Sequence, residues 1–141
     1  MREIKFRGQH IISKKWIVGD LIHEEWIGGK AIMIKRKKTA HSVLEETVGQ
    51  YTGLHDKNGK EIYEGDIVGI DKDLAKAFEI YSKGIINYVN GGFVVTKNDG
   101  TYETIKSSLL ALGDLNNIFR GEVIGNIYEN SDLLKGADNI E

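Results

Sequence analysis

The sequence predicts a mainly β fold, a small closed or nearly closed barrel with one or two short helical turns. Three observations predict it: the apolar stretches are short, glycine-rich corners separate them closely, and few segments favour a helix. The chain has 141 residues, of which 17 are glycine and none is proline. Closing the sheet would also remove exposed strand edges, which invite aggregation.

The amino-terminal region, residues 1–50, is predicted to add strands ahead of the barrel. Residues 3–7 alternate polar and apolar side chains, as a half-buried strand does. Residues 15–18 form a second strand candidate, which we expect to end in a turn at Gly19-Asp20. A glycine-rich turn follows, and an apolar strand over residues 31–35 comes after it.

The run from Tyr51 to Val68 carries the strongest hairpin signal. Asn58-Gly59 is typical of a type I′ turn, in which both central residues need a positive φ. Gly53 and Gly65 can supply further turns, and residues 66–70 indicate a buried strand. We interpret the run as a rigid surface hairpin, and the alternative is a recognition hairpin that contacts a partner. The candidate recognition residues are Tyr51, Lys57, Asn58, Gly59, Lys60 and Tyr63.

An antiparallel meander is predicted for the second half of the chain. Its three strands cover residues 84–89, 93–96 and 101–105, and each corner has turn residues. A last strand is predicted over residues 121–128. Gly125 inside that strand indicates a β-bulge or a close backbone approach.

Helical turns are predicted at few places. Ser42 is expected to cap a short helix, and residues 107–112 are expected to form one helical turn. Ser131-Asp132 could cap another turn. Residues 73–81 are ambiguous, because their alanines and lysine favour a helix while their aromatic and β-branched residues also suit a strand.

Length and composition predict one globular domain over residues 1–141, with the barrel core at 51–130 and a polar tail at 131–141. The net charge is −2, but the charges are unevenly distributed. Residues 1–60 carry 12 Lys or Arg against 7 Asp or Glu, whereas residues 61–141 carry 7 against 14. This asymmetry allows a basic face or head-to-tail self-association, and it equally fits two solvated faces.

The chain contains no cysteine, which excludes disulfides, thiolate metal sites and a cysteine nucleophile. The first residues alternate polar and apolar side chains, unlike a signal peptide. No run approaches the ~18 apolar residues that a membrane helix needs. We expect no membrane partner, and the composition is compatible with a reducing cytoplasm.

Three blocks of the sequence together resemble the YopX family of small bacteriophage and prophage proteins. They are residues 2–7 with Trp16 shortly after, residues 51–68, and residues 122–130 near the end. They span almost the whole chain in the family's order. The resemblance implies an SH3-like barrel, a phage or prophage origin and a cytoplasmic location in the bacterial host. It implies no catalytic residues.

No enzymatic pattern is found in the sequence. None of the four histidines falls in a metal-binding spacing. Glu64 and Asp66 flank Gly65 and could act as an acid–base pair, but an Asp after Gly at a strand start more often hydrogen-bonds the turn. We therefore predict a protein that is not an enzyme, with no catalytic residue, no metal and no cofactor.

Two kinds of partner are compatible with the sequence. Lys35, Arg36, Lys37 and Lys38 form a basic segment that could neutralise several phosphates, with Trp16 as a base-stacking candidate. The chain is acidic overall, however, which is untypical of nucleic-acid readers. We predict an accessory binding module whose partner is an unknown protein or a second copy in a homo-oligomer. The alternative is a nucleic-acid-binding module.

Overall fold

The structure, a computed structural model, describes residues 1–77, 82–96, 110–111 and 121–134. The chain divides into two compact units, Met1–Gly53 and Leu54–Glu141. Most of the described residues lie in antiparallel strands, so the predicted mainly β class is confirmed. The single domain and its boundaries stay predictions.

Unit 1 is built on an antiparallel sheet with the neighbour order β4-β3-β2-β1-β5. Its strands are β1 (Phe6–Gln9), β2 (Trp16–Trp26), β3 (Gly29–Arg36), β4 (Thr39–Ser42) and β5 (Gly49–His55), the last of which continues into unit 2.

Strand β2 runs through Gly19-Asp20, so the turn predicted there is wrong. A side chain at Gly19 would collide with the backbone carbonyl of Lys35 on β3. The glycine is therefore needed because two strands approach closely, and it does not end a strand.

The core of unit 1 lies on one face of this sheet. Ile34 is fully buried, and a Cβ added at Gly8 would touch both Ile34 and Val43. A 3-10 turn over Glu45–Thr47 follows Val43. The predicted cap by Ser42 is wrong, because Leu44 occupies the N-cap position and no side chain caps the turn.

Unit 2 contains a five-stranded antiparallel sheet with the order β10-β9-β8-β7-β11. These strands are β7 (Asp66–Gly69), β8 (Lys83–Val89), β9 (Gly92–Thr96), β10 (Leu110–Ala111) and β11 (Glu122–Asn126). Strand β6 (Glu61–Tyr63) is the neighbour of β5. Helix α1 (Lys72–Ala77) and a 3-10 turn over Ser131–Leu134 complete the described elements.

One apolar cluster forms the core of unit 2. Its buried members come from β6, β7, α1, β8, β9, β11 and the segment after β7: Ile62, Val68, Ile70, Ala75, Ile86, Val95 and Val123. Leu54, Leu74 and Phe93 pack against this cluster. The alternation of apolar residues along these short strands is what places them together on one side.

The meander prediction is confirmed where the structure describes it. Strands β8 and β9 pair across Asn90-Gly91, whose φ values of 51° and 85° are those of a type I′ turn. The predicted strand over 101–105 lies outside the described residues. Leu110 and Ala111 pair with β9 as a strand, so a helical turn over 107–112 is wrong at these two residues.

Two further predictions have clear outcomes. The ambiguous segment 73–81 is helical up to Ala77, and residues 78–81 lie outside the described part. The bulge at Gly125 is confirmed, because the register of β11 against β7 shifts between Val123 and Gly125. A Cβ at Gly125 would lie 2.7 Å from Asn130 Oδ1, so the backbone also approaches closely there.

The strand orders above describe open sheets, and among the described strands neither sheet closes on itself. The closed, SH3-like form of the predicted barrel is therefore not confirmed. Within the same residues, no helix is long and apolar enough to cross a membrane.

Candidate functional site

The two tyrosines of the candidate recognition hairpin are buried. Tyr51 is 4% exposed and Tyr63 is 5% exposed. The Lys5 ammonium lies over the Tyr51 ring, 4.8 Å from its centroid. Tyr63 donates a hydrogen bond to Glu61 through its hydroxyl group, at 2.9 Å. Neither ring is presented to a partner, although Lys57, Asn58, Gly59 and Lys60 are exposed.

The hairpin turn is organised by the Asp56 carboxylate. Its Oδ1 accepts hydrogen bonds from the backbone N–H groups of Asn58 at 2.8 Å and Lys60 at 2.9 Å. The Gly59 N–H bonds back to the Asp56 carbonyl, and only Gly59 of the central residues has a positive φ, 83°. The predicted type I′ turn at Asn58-Gly59 is therefore wrong. This is a three-residue loop in which a left-handed glycine follows an ordinary turn.

Asp56 also ties this turn to strand β11. Its Oδ2 accepts a hydrogen bond from the Val123 N–H at 2.9 Å, and the Lys57 N–H bonds to the Gly121 carbonyl. The Lys57 ammonium lies 3.4 Å from a Glu122 carboxylate oxygen. Burial alone would raise the pKa of Asp56, but the three backbone N–H groups and the charge of Lys60 lower the pKa below its ordinary value. These contacts give the turn a structural role.

The basic segment is presented on the turn between β3 and β4. Lys35 and Arg36 end β3, Arg36 pairs with Thr39, and Lys37 and Lys38 form the two-residue loop. All four basic side chains are exposed, and within the described residues none of them has an acidic partner. Lys37 has a φ of 57°, a conformation that ordinarily favours glycine.

The structure does not bring Trp16 into contact with this basic turn. Trp16 is half-buried, and the Arg7 guanidinium lies over its ring, 4.6 Å from the centroid. Along β2, Trp16 is four residues from Asp20, the register partner of Lys35, which places the two levels about 13 Å apart. One face of the Trp16 ring already has a cationic partner.

A long hairpin arm is the surface that the sequence reasoning missed, and β4 pairs with residues 33–36 of β3 at its base, so that only its outer part is two-stranded. Residues 20–26 of β2 pair with residues 29–35 of β3, while β1 pairs with β2 only up to Gly19. Eight consecutive residues around the tip, 23–30, are exposed. The turn predicted at Gly19-Asp20 divided β2, so the arm was not predicted. The alternation of polar and apolar residues on both sides of Gly28-Gly29 was the sequence signal for a hairpin there.

The tip of the arm exposes large apolar side chains. Trp26 is 57% exposed and Ile27 is 103% exposed. Trp26 pairs with Gly29 across the hairpin, and a Cβ at Gly29 would lie 3.1 Å from the indole ring. The glycine therefore leaves room for the ring to lie across the ribbon, and one edge of Trp26 stays accessible.

The two faces of the arm differ. Residues that pair across an antiparallel ribbon share a face, and successive residues alternate. One face, here named the open face, has an apolar centre and carries three charged residues. Its register pairs are Asp20–Lys35, Ile22–Met33, Glu24–Ala31 and Trp26–Gly29.

The other face of the arm is bound to the rest of unit 1. Lys30 on this face forms a salt bridge with Glu45 of the 3-10 turn, with N–O distances of 2.8 and 3.0 Å. This contact raises the pKa of Lys30 and lowers the pKa of Glu45. On the same face His23 lies 3.2 Å from Glu25. The segment that contains Glu45 therefore contacts this face at Lys30.

The described residues contain no group of three or more His, Asp or Glu that could hold a metal ion. Asp66 is 1% exposed and accepts a hydrogen bond from the Tyr63 N–H at 2.8 Å, so its carboxylate orders the turn before β7. His10 accepts hydrogen bonds from the Ile12 and Ser13 N–H groups through Nδ1, which is likewise a turn function.

The fold and this surface define a small β protein that presents a protruding hairpin and a basic turn. The chain belongs to the YopX family: the family model described as YopX protein matches residues 5–135. The resemblance stated from the sequence is therefore confirmed. A search of curated proteins finds no match.

Among solved structures, the chain is similar to protein EF1440 from Enterococcus faecalis. The two are 23% identical, the match covers 95% of this chain and 99% of that chain, and the TM-score is 0.53. At this identity the likeness shows the fold alone.

Proposed function

We propose that this YopX-family protein is an accessory protein of a bacteriophage or prophage that acts in the cytoplasm of the bacterial host. It works as a non-enzymatic interaction module that binds a protein partner or itself through the arm. Family membership supports the phage setting, and the observation that carries the binding role is the exposed tip at Trp26 and Ile27.

The tip has the chemistry of a binding surface. Tryptophan is enriched among the residues that contribute most to protein–protein affinity, because it buries a large area with few rotatable bonds. Trp26 and Ile27 lie at the end of a ribbon that projects beyond β1, so a partner can reach both without displacing other side chains. The exposed Ile27 side chain contributes no hydrophobic burial to folding, and its exposure therefore favours a role in binding.

The experiment compares capture by the tagged full chain with capture by a tip variant that carries Trp26→Ala and Ile27→Ser. A matched control is Tyr88→Ala, which removes an aromatic ring that is 54% exposed in unit 2. Partners from host lysate are quantified by mass spectrometry. We expect the tip variant to lose a defined partner or self-association by at least tenfold and the control to retain it. An identical set of bound proteins for all three chains would contradict the proposal.

Nucleic-acid binding is the second candidate, and the exposed basic turn favours it. Four cations without acidic partners within the described residues can neutralise up to four phosphates. The logarithm of the binding constant for duplex DNA would then fall with the logarithm of the salt concentration, with a slope of up to about −3.6. Lys35→Ala with Lys37→Ala should lower this slope by about 2, whereas Lys72→Ala with Lys76→Ala on α1 should leave it unchanged. DNA binding that changes neither with salt concentration nor with the Lys35→Ala and Lys37→Ala substitutions would exclude this candidate.

A further inference from the structure

We infer that the outer edge of β2 in the arm binds an extended segment of a partner protein, which joins the sheet as an added strand. The outer edge consists of the backbone N–H and C=O groups of Leu21, His23 and Glu25 on the side away from β3. The inference rests on the proposed function and names the chemistry of the partner. The added strand alternates apolar and polar side chains and sets a lysine or arginine beside Glu24.

The strand register shows which backbone groups face outward. In an antiparallel pair, a residue points both backbone groups either toward the partner strand or away from it, and successive residues alternate. The Ile32 carbonyl accepts a hydrogen bond from the Val43 N–H at 3.1 Å, so Ile32 points away from β2. His23 is the register partner of Ile32 and therefore points away from β3. By alternation, Leu21 and Glu25 point the same way as His23.

The outer edge has no strand beside it within the described residues. Strand β1 pairs with β2 only up to Gly19. The chain ahead of β1 instead follows β5, where the Lys5 carbonyl accepts a hydrogen bond from the Tyr51 N–H at 2.9 Å. The three residues of the outer edge are all exposed. Three donors and three acceptors therefore face water in the alternating order that another strand complements.

The side chains of the open face select the composition of the added strand. Ile22, Glu24 and Trp26 point their backbone groups toward β3, so each would form a non-hydrogen-bonded pair with the added strand. In such pairs the side chains lie closest together. Ile22 and Trp26 therefore favour apolar partners. Glu24 favours a lysine or arginine, because its register partner is Ala31 and no cation forms a salt bridge with it among the described residues.

The other two carboxylates of the arm already have cations across the hairpin. Asp20 on the open face is the register partner of Lys35, and Glu25 on the opposite face is the register partner of Lys30. Glu24 is therefore the carboxylate of the arm whose charge an added strand can neutralise.

A second copy fits the outer edge less well than such a partner. If two copies paired antiparallel through their outer edges with His23 at the centre, Glu24 of each would face Ile22 of the other. Glu25 would face Leu21 in the same way. Both pairs set a carboxylate against an apolar side chain. Charges on an edge strand commonly oppose self-pairing in this manner, whereas a strand that supplies a cation is accepted.

The experiment titrates the isotope-labelled full chain with a synthetic peptide and follows amide NMR signals. The peptide has seven residues and capped ends, with lysine in the middle, valine two positions to either side of it and threonine elsewhere. Because the contact is small, we expect a dissociation constant of about 0.1–1 mM. The amide signals of Leu21, His23 and Glu25 should shift most, and those of Ile22 and Glu24 should shift less because their N–H groups face β3.

N-methylation of the peptide tests the backbone contact without changing the protein. In the antiparallel register, the residues on either side of the lysine point their N–H groups toward the outer edge. Methylation of these two N–H groups should weaken binding by at least about fivefold. Methylation of the lysine N–H, which points away from β2, should leave the affinity within about twofold.

Charge reversal tests the predicted composition of the partner strand. Glu24→Lys should weaken binding of the lysine peptide by about fivefold and strengthen binding of a peptide with glutamate in the middle. Glu46→Lys is the matched control, because Glu46 is exposed on the 3-10 turn of unit 1, and it should change neither affinity. The remaining amide signals of each variant verify that it is folded.

The outcomes distinguish this inference from the proposed function. Outer-edge signals that do not shift at about 2 mM lysine peptide would overturn the inference. Equal effects of the two methylations, or a Glu24→Lys chain that still prefers the lysine peptide, would overturn it as well. If the variant with Trp26→Ala and Ile27→Ser nevertheless loses a captured partner, the proposed function stands without the inference. Shifts at the outer edge together with the exchanged charge preference would establish the inference.

Discussion

Replacing Asp56 by alanine should be the most destabilising single change at the hairpin turn. Its carboxylate accepts three backbone hydrogen bonds, two inside the turn and one from Val123 on β11. The side chain is 7% exposed, and Val123 is 8% exposed. Without the carboxylate, the Val123 N–H is left buried with no acceptor, while the two turn N–H groups can turn toward water.

The magnitude follows from these three donors. An unsatisfied buried N–H costs about 1–3 kcal/mol, and each turn hydrogen bond contributes about 0.5–1.5 kcal/mol net. Asp56→Ala should therefore lower the free energy of unfolding by about 3 kcal/mol. Asp71 is the matched control, because it accepts hydrogen bonds from Asp73 and Leu74 at the start of α1 but is exposed. Asp71→Ala should cost about 1 kcal/mol, as the loss of an exposed N-cap does.

Urea denaturation followed by far-UV circular dichroism measures the free energy of unfolding of both variants. The pH dependence gives an independent check. Because folding lowers the pKa of Asp56 below its ordinary 3.8, its contribution to stability is fully present above about pH 4 and is lost as pH falls through the lowered pKa. The stability gap between wild type and Asp56→Ala should narrow in that acidic range. An equal loss in the free energy of unfolding for Asp56→Ala and Asp71→Ala at pH 7 would refute the reasoning.

Three further changes have definite expected outcomes. Gly125→Ala should lower the free energy of unfolding by about 1–3 kcal/mol, because its Cβ would lie 2.8 Å from the Asn130 Cβ. Gly92→Ala is the control, because a Cβ there meets no atom within 4 Å and should destabilise far less. Thermal melts compare the two variants. Lys37→Gly should raise the free energy of unfolding by about 0.5–1 kcal/mol, since it relieves a left-handed lysine, and an unchanged or lower urea midpoint would contradict this. Trp26→Ala should change the free energy of unfolding by less than about 0.5 kcal/mol, because the ring is mostly exposed. A large loss of stability there would mean that the tip belongs to the folded core.

The parts of the fold that local sequence determines could be predicted. Asn90-Gly91 joins β8 and β9 because both residues tolerate a positive φ, and the alternating apolar residues on either side fix the register. Gly125 was recognisable as a bulge because a glycine inside a short strand lacks a side chain to pack.

The features that depend on distant contacts could not be predicted. Gly19 has the local appearance of a turn residue, yet the reason for it is the carbonyl of Lys35 on the neighbouring strand. The Asn58-Gly59 turn was missed for a local reason, because the Asp56 carboxylate binds the N–H groups of Asn58 and Lys60 and favours a three-residue loop over a type I′ turn. In the candidate site, the exposure of the basic turn could be predicted from its four consecutive charges. The arm could not, because the sequence alone did not show that β2 continues from Trp16 to Trp26.

Cross-linking at the tip gives the most direct test of the proposed binding role. Because the chain has no cysteine, Ile27→Cys introduces a unique thiol at the exposed end of the arm. A thiol-attached photo-cross-linker at Ile27→Cys should trap a defined partner or a second copy, whereas the same reagent at Tyr88→Cys in unit 2 should trap little. Equal yields from the two variants, or no cross-linked product from Ile27→Cys, would contradict the account.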